Sequence, residues 1–161
     1  MTEMRDDMKR ELKGKIKANN DLLYHVLLAV SALLAVFAVI LQPNDTLFTG
    51  FWKIQVGHAG LITDPICTGG PGAALLNASA LMLSSTLLVR FQKMPFNGLS
   101  VACLFMMGGF ALIGKNILNS FPILLGGFLY ACYKGERFSK YTYMSLFATC
   151  LSPMVSYFML H

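Results

Sequence analysis

Apolar residues run almost unbroken through four stretches of this chain, and the polar interruptions between them set the expected elements. Leu22 to Leu41 is a 20-residue apolar run, long enough as a helix to cross a bilayer core. It stops at Gln42-Pro43-Asn44-Asp45, because proline cannot continue a helix. Leu47 to Ile62 is apolar but punctuated by Gly50, Gly57 and Gly60, which predicts an interfacial or re-entrant segment over about 47–63. Phe48, Phe51 and Trp52 there suit a membrane interface. Pro71 is placed to start the next helix, which runs without a charge through Val89. Leu99 to Tyr133 is apolar over 35 residues except at its centre, where Gly114-Lys115-Asn116 and Asn119-Ser120-Phe121-Pro122 intervene. That pattern predicts a hairpin of two short helices, 99–113 and 117–133. Tyr141 to Leu160 completes the set, with a kink expected at Pro153.

The first 21 residues differ in kind. Met4, Met8, Leu12 and Ile16 recur every four positions and would line one narrow stripe of a helix. Such a helix can lie on a membrane surface. Equally, it can be a solvated leader that orients the first span, and five acids dilute its basic face in favour of the leader. Segment 1–21 is expected to be a charged cytoplasmic head, with 22–161 the membrane domain.

Composition turns these runs into a class. The chain is 55% hydrophobic and 13% charged, against about a quarter charged in soluble domains. Eleven of its 21 charged residues lie in the first 21 positions, leaving ten for the other 140. So little polar surface predicts an all-α, polytopic membrane protein with the lipid bilayer as its main partner. The net charge of +5 does not point to nucleic acid, because the basic residues cap apolar runs rather than forming a stripe with aromatics. Cys67, Cys103, Cys132 and Cys150 show no metal or redox spacing and read as small buried hydrophobes. No metal or cofactor is expected. Nucleophile elbow, H-E-x-x-H and paired carboxylates are missing, and His58 near Asp64 is a weak acid–base pair, so an enzyme is not expected. The Thr68–Gly72 loop lacks the G-K-[ST] of a phosphate-binding loop.

Orientation follows from Lys and Arg alone. The head carries six, loop 90–98 two and loop 134–140 three, while the opposite side holds only Lys53 and Lys115. The N-terminus and both basic loops are therefore expected in the cytoplasm and the C-terminus outside, across a plasma membrane. Five crossings satisfy this: 22–41, 71–89, 99–113, 117–133 and 141–160. The 99–133 hairpin can also dip in and return, which leaves the same loops inside.

Function is expected at the hairpin tip. Ionisable residues within membrane segments tend to be functional, and Lys115 sits at the centre of an apolar hairpin. Ser120 as N-cap and Pro122 behind it predict a fresh helix near Phe121, with 114–119 partly unwound. The helix starts near Phe121 and Pro71 would add two positive dipole ends. Together with Lys115 they favour an anionic solute, or the carboxylate of Asp64, the only acid between Asp45 and Glu136. The expected solute site is Asp64, Asn77, Lys115, Asn116 and Asn119. The competing reading places Lys115 at the outer surface and leaves the asparagines to cap helices.

The words Ile62-Thr63-Asp64, Gly69-Gly70-Pro71-Gly72-Ala73-Ala74-Leu75-Leu76-Asn77, Asn97-Gly98 and Gly114-Lys115-Asn116 through Gly126 resemble those of a family of multi-pass prokaryotic membrane proteins of unknown function, over about residues 20–160. The resemblance implies a bacterial membrane protein whose relatives carry two tandem copies of the domain. It implies no catalytic residues. With one copy here, a homodimer or a separate second membrane half is the expected partner. A transporter or permease-like module for a small solute is the leading reading. A non-transporting membrane subunit is the alternative, and a membrane enzyme ranks below both.

Overall fold

The computed structural model describes residues 2–42, 44–57 and 64–160. Its regular elements there are all helical: α1 (Thr2–Leu41), α2 (Asn44–Val56), α3 (Pro65–Gly69), α4 (Pro71–Phe91), α5 (Gly98–Ala111), α6 (Ile117–Lys134), α7 (Thr142–Ala148) and α8 (Ser152–Leu160). Two of them, α1 over Gly14–Leu41 and α4 over Pro71–Phe91, are long and apolar enough to cross a membrane.

The charged head and the first apolar run are one continuous helix rather than two segments, since neither proline nor paired glycines interrupt residues 2–41. Leu12 and Ile16 of the apolar stripe are exposed, and the side chains of Met4 and Met8 lie outside the described ones. α1 packs along α4 in antiparallel fashion. Their contacts step along both helices: Asp21 with Arg90 at 3.5 Å, Ser79 Oγ donating to the Ser31 carbonyl at 2.7 Å, and Gln42 over the start of α4. Small residues let the two backbones close up, with Ala74 and Ala78 fully covered. The core continues through Leu27, Leu81, Leu104, Met107 and Leu146.

Gly50 does not break its segment. It lies inside α2, where it meets the backbone of Gly69 in α3, and a Cβ on Gly69 would stand 2.6 Å from the Gly50 carbonyl oxygen. The two glycines permit a crossing too close for any side chain. Residues 58–63, the end of the expected re-entrant segment, lie outside the described residues.

The last apolar run is broken more thoroughly than a kink. A 3-10 turn at Phe138–Lys140 precedes α7, and a second at Thr149–Leu151 separates α7 from α8. Pro153 falls in the first turn of α8, where its missing N–H is tolerated. α6 packs against α7 and α8 rather than back on α5.

Gly50→Ala is expected to destabilise the fold by about 1–3 kcal/mol through overpacking. Gly109→Ala, with open space around it, should be neutral or stabilising by up to ~1 kcal/mol. Unfolding midpoints of the purified variants in detergent check both.

Candidate functional site

The turn between α5 and α6 leaves backbone groups unpaired in an apolar interior, and side chains from two other helices come in to pair them. Asn77 of α4 is fully buried. Its Nδ2 donates to the carbonyls of Ala111 at 3.2 Å and Lys115 at 2.7 Å, and its Oδ1 accepts from Gln55 Nε2 at 2.9 Å. Gln55 Oε1 in turn accepts from the N–H of Ile117 at 3.1 Å, the first residue of α6. Asn116 Nδ2 donates to the Ile54 carbonyl at 2.9 Å, which ties the turn to α2 from the other side.

α6 begins at Ile117, four residues earlier than a Ser120 cap predicts, because Asn116 and Asn119 form a better device. Each amide oxygen accepts the other residue's N–H at 2.8 Å, a reciprocal capping box. Asn119 Nδ2 also reaches the Gly114 carbonyl at 3.0 Å. Ser120, one turn in, donates to the Asn116 carbonyl at 2.7 Å, and Pro122 sits inside the helix. The unwound stretch is therefore short. Gly114 reverses the chain with φ of 108°, a left-handed conformation that favours glycine.

Lys115 follows that reversal and points inward. Its side chain is 0% exposed. Nζ donates to Thr149 Oγ1 at 2.6 Å and to Met107 Sδ at 2.7 Å. Thr149 belongs to the 3-10 turn between α7 and α8, so two interrupted helical segments meet at this ammonium. An ammonium has three protons to place, and a thioether is a weak acceptor. Among the described residues the ion pairs are Lys15–Glu11, Arg90–Asp21 and Lys140–Glu136, so none neutralises Lys115. Three residues beyond Thr149, the buried Ser152 hydroxyl also has no partner among the described residues.

Asp64 is not brought to this cluster by any hydrogen bond or ion pair among the described residues. It is exposed and caps α3, accepting from the N–H of Ile66 at 2.9 Å and of Cys67 at 3.3 Å, and from the Cys67 thiol at 3.1 Å. Those bonds, the thiol's first, hold its carboxyl below the ordinary aspartate value of 3.8. The expected partnership with Lys115 thus fails for a local reason: a short helix claims the carboxylate first. His58 lies outside the described residues. The two helix N-termini are not free for an anion either. Gln42 Oε1 accepts the Ala73 N–H at 3.1 Å at the start of α4, and Gln55 with Asn116 caps α6. Among the described residues, the charged group at the site is Lys115.

Four of the five expected residues therefore converge: Asn77, Lys115, Asn116 and Asn119. Gln55, Met107 and Thr149 are the participants that the sequence reading missed. Gln55 carried a usable signal, as an uncharged amide inside an apolar run. Met107 and Thr149 carried none.

Helix content and two apolar helices of spanning length define a helical protein of membrane-compatible type. The chain belongs to the family described as protein of unknown function DUF1576, whose model matches residues 43–161. Neither the curated proteins nor the solved structures contain a match to it.

Asn77→Ala strands the Gln55 amide and two buried carbonyls, and is expected to destabilise by about 2–4 kcal/mol. Asn97→Ala, which removes only the cap of α5, should cost about 1 kcal/mol. Denaturant unfolding of both variants makes the comparison. Asp64 binds its proton less tightly in the folded chain than in the unfolded one. Its contribution is therefore present above the ordinary aspartate range and lost as pH falls through its own lowered value. Protection of the amides of residues 66–69 from hydrogen exchange, taken relative to the intrinsic rate at each pH, should fall on acidification, and should not change with acid in Asp64→Asn.

Proposed function

We propose that the chain is a permease-like membrane module in which Lys115 meets a small anionic solute. One observation carries the reading: an ammonium is fully buried, with a hydroxyl and a thioether as its partners and no carboxylate beside it among the described residues. Burying an unpaired ion is expensive, by several kcal/mol, and ionisable groups held in this way within membrane domains tend to serve substrate or ion movement. The meeting of two interrupted helical segments at Lys115 supports it, because secondary transporters build their sites from broken helices.

The topology proposed with this function has five crossings of a bacterial plasma membrane, the N-terminus and both basic loops inside, and the C-terminus outside. Exposed apolar faces support the crossings, notably Val36, Phe37 and Ile40 on α1 and Phe121, Phe128 and Leu129 on α6. Contacts between the loops support the common side. Arg90 pairs with Asp21 and lies 4.9 Å over the Tyr24 ring, beside the junction of head and apolar run. Thr142, just past the second basic loop, donates to Gln92 at 2.7 Å. A homodimer, or a second membrane half of the same family, would complete the path. No catalytic step is proposed.

The second reading is a membrane subunit that transports nothing. It is favoured by the asparagines, whose bonds are all made within the chain and hold the turn without need of a ligand.

Lys115→Met keeps the length of the stem and removes the charge, so stability should hold or rise. In proteoliposomes challenged with acetate, lactate, succinate and phosphate, the unaltered chain should give a transport current with at least one anion, and Lys115→Met none. Equal currents from both proteins would remove Lys115 from the mechanism. Silence from the unaltered chain toward every anion would favour the non-transporting subunit.

A further inference from the structure

An apolar furrow runs between α4 and α6 toward the basic-loop end of the molecule. Its outer part holds about 630 Å³ and its inner part about 230 Å³, and the two share Leu88, Phe121 and Leu124. Phe121 and Phe128 on its α6 wall remain 60% and 47% exposed, so nothing among the described residues fills it. The furrow reaches from Phe128 at its mouth to Ile117 and Ser120 at its inner end, where Met107 forms part of the lining. The eleven helical rises from Ile117 to Phe128 span about 16 Å. One leaflet of hydrocarbon is about 15 Å deep, half of a ~30 Å core.

Charge collects at one end only, and the serines of the inner part, Ser84, Ser85 and Ser120, spend their hydroxyls on carbonyls of their own helices. Arg137, Gln92 and Ser139 line the mouth. Arg137 is exposed and in no ion pair among the described residues. The neighbouring Glu136 does not answer it, since its carboxylate is taken by Lys140 Nζ at 2.7 Å and by the Tyr141 hydroxyl. Gln92 Oε1 is held by Thr142, while its buried Nε2 has no partner among the described residues.

We propose that this furrow is a binding site for an anionic phospholipid of the leaflet that faces the basic loops, with one acyl chain between α4 and α6 and the phosphate on Arg137. The one-sided charge and the one-leaflet depth select an amphiphile over a second copy of the chain, whose helix would need no cation at one end. The inference rests on the membrane reading above and is independent of whether Lys115 carries solute.

Its test uses the full chain, purified and delipidated, then offered phosphatidylglycerol and phosphatidylcholine in equal amounts, with retained lipid read by native mass spectrometry. Phosphatidylglycerol should be retained about fivefold over phosphatidylcholine, the factor that one basic side chain contributes near an anionic headgroup. Arg137→Gln should bring that ratio to about one. Leu124→Trp, which fills the furrow, should reduce retention of both lipids, while Leu129→Trp on the outer face of α6 should not. An unchanged ratio in Arg137→Gln, or unchanged retention in Leu124→Trp, would overturn the site. So would a disulfide between copies of Leu124→Cys that forms with lipid present. Carbonate extraction of expressing cells separates the two failures. Recovery in the soluble fraction sinks the membrane reading itself, whereas recovery in the membrane with no lipid preference sinks only the furrow.

Discussion

A chain turn inside an apolar interior must find partners for its backbone polar groups, and the architecture of this protein depends on how the turn after α5 does so. Water is excluded there, and each unpaired N–H or carbonyl would cost about 1–3 kcal/mol. Asn77 supplies two donors from α4 and is itself held by Gln55 from α2. Asn116 reaches back to α2, and with Asn119 it closes the start of α6. Four helices are thereby fixed to one another at a single level by amide side chains. Apolar packing alone would hold them together without selecting that level.

The same network explains why Lys115 is buried. Gly114 turns the chain, Asn77 anchors the Lys115 carbonyl, and the side chain is left directed at Met107 and Thr149. The asparagines are thus positioning groups with their bonding capacity spent. The lysine is the group with capacity to spare. Four of the five polar residues expected to act together thus separate into one buried charge and the amides that frame it.

Packing elsewhere serves the same frame. α1 and α4 approach through small residues, and α2 crosses α3 where two glycines face each other. These close contacts bring Gln42 and Gln55 within reach of the starts of α4 and α6. α6, by contrast, is covered on one side only, and its open side is where the furrow lies.

Much of this was legible in the order of residues. The helix start at Pro71, the interruption around Lys115, and the polar character of Asn77, Asn116 and Asn119 all follow from local rules of capping, breaking and apolar run length. Those rules act over a few neighbouring residues, so one stretch of sequence contains everything they need. Tertiary structure alone decided three other matters. Asn116 replaced Ser120 as the cap because a reciprocal pair with Asn119, supported from α2, satisfies more of the helix end. Asp64 went to the short helix α3 and not to Lys115, because a partner two or three residues away is reached before one across the fold. Thr149 and Met107 became the partners of Lys115 through contacts 34 and 8 residues distant, and no local pattern marks which hydroxyl or thioether packing will deliver to a buried charge.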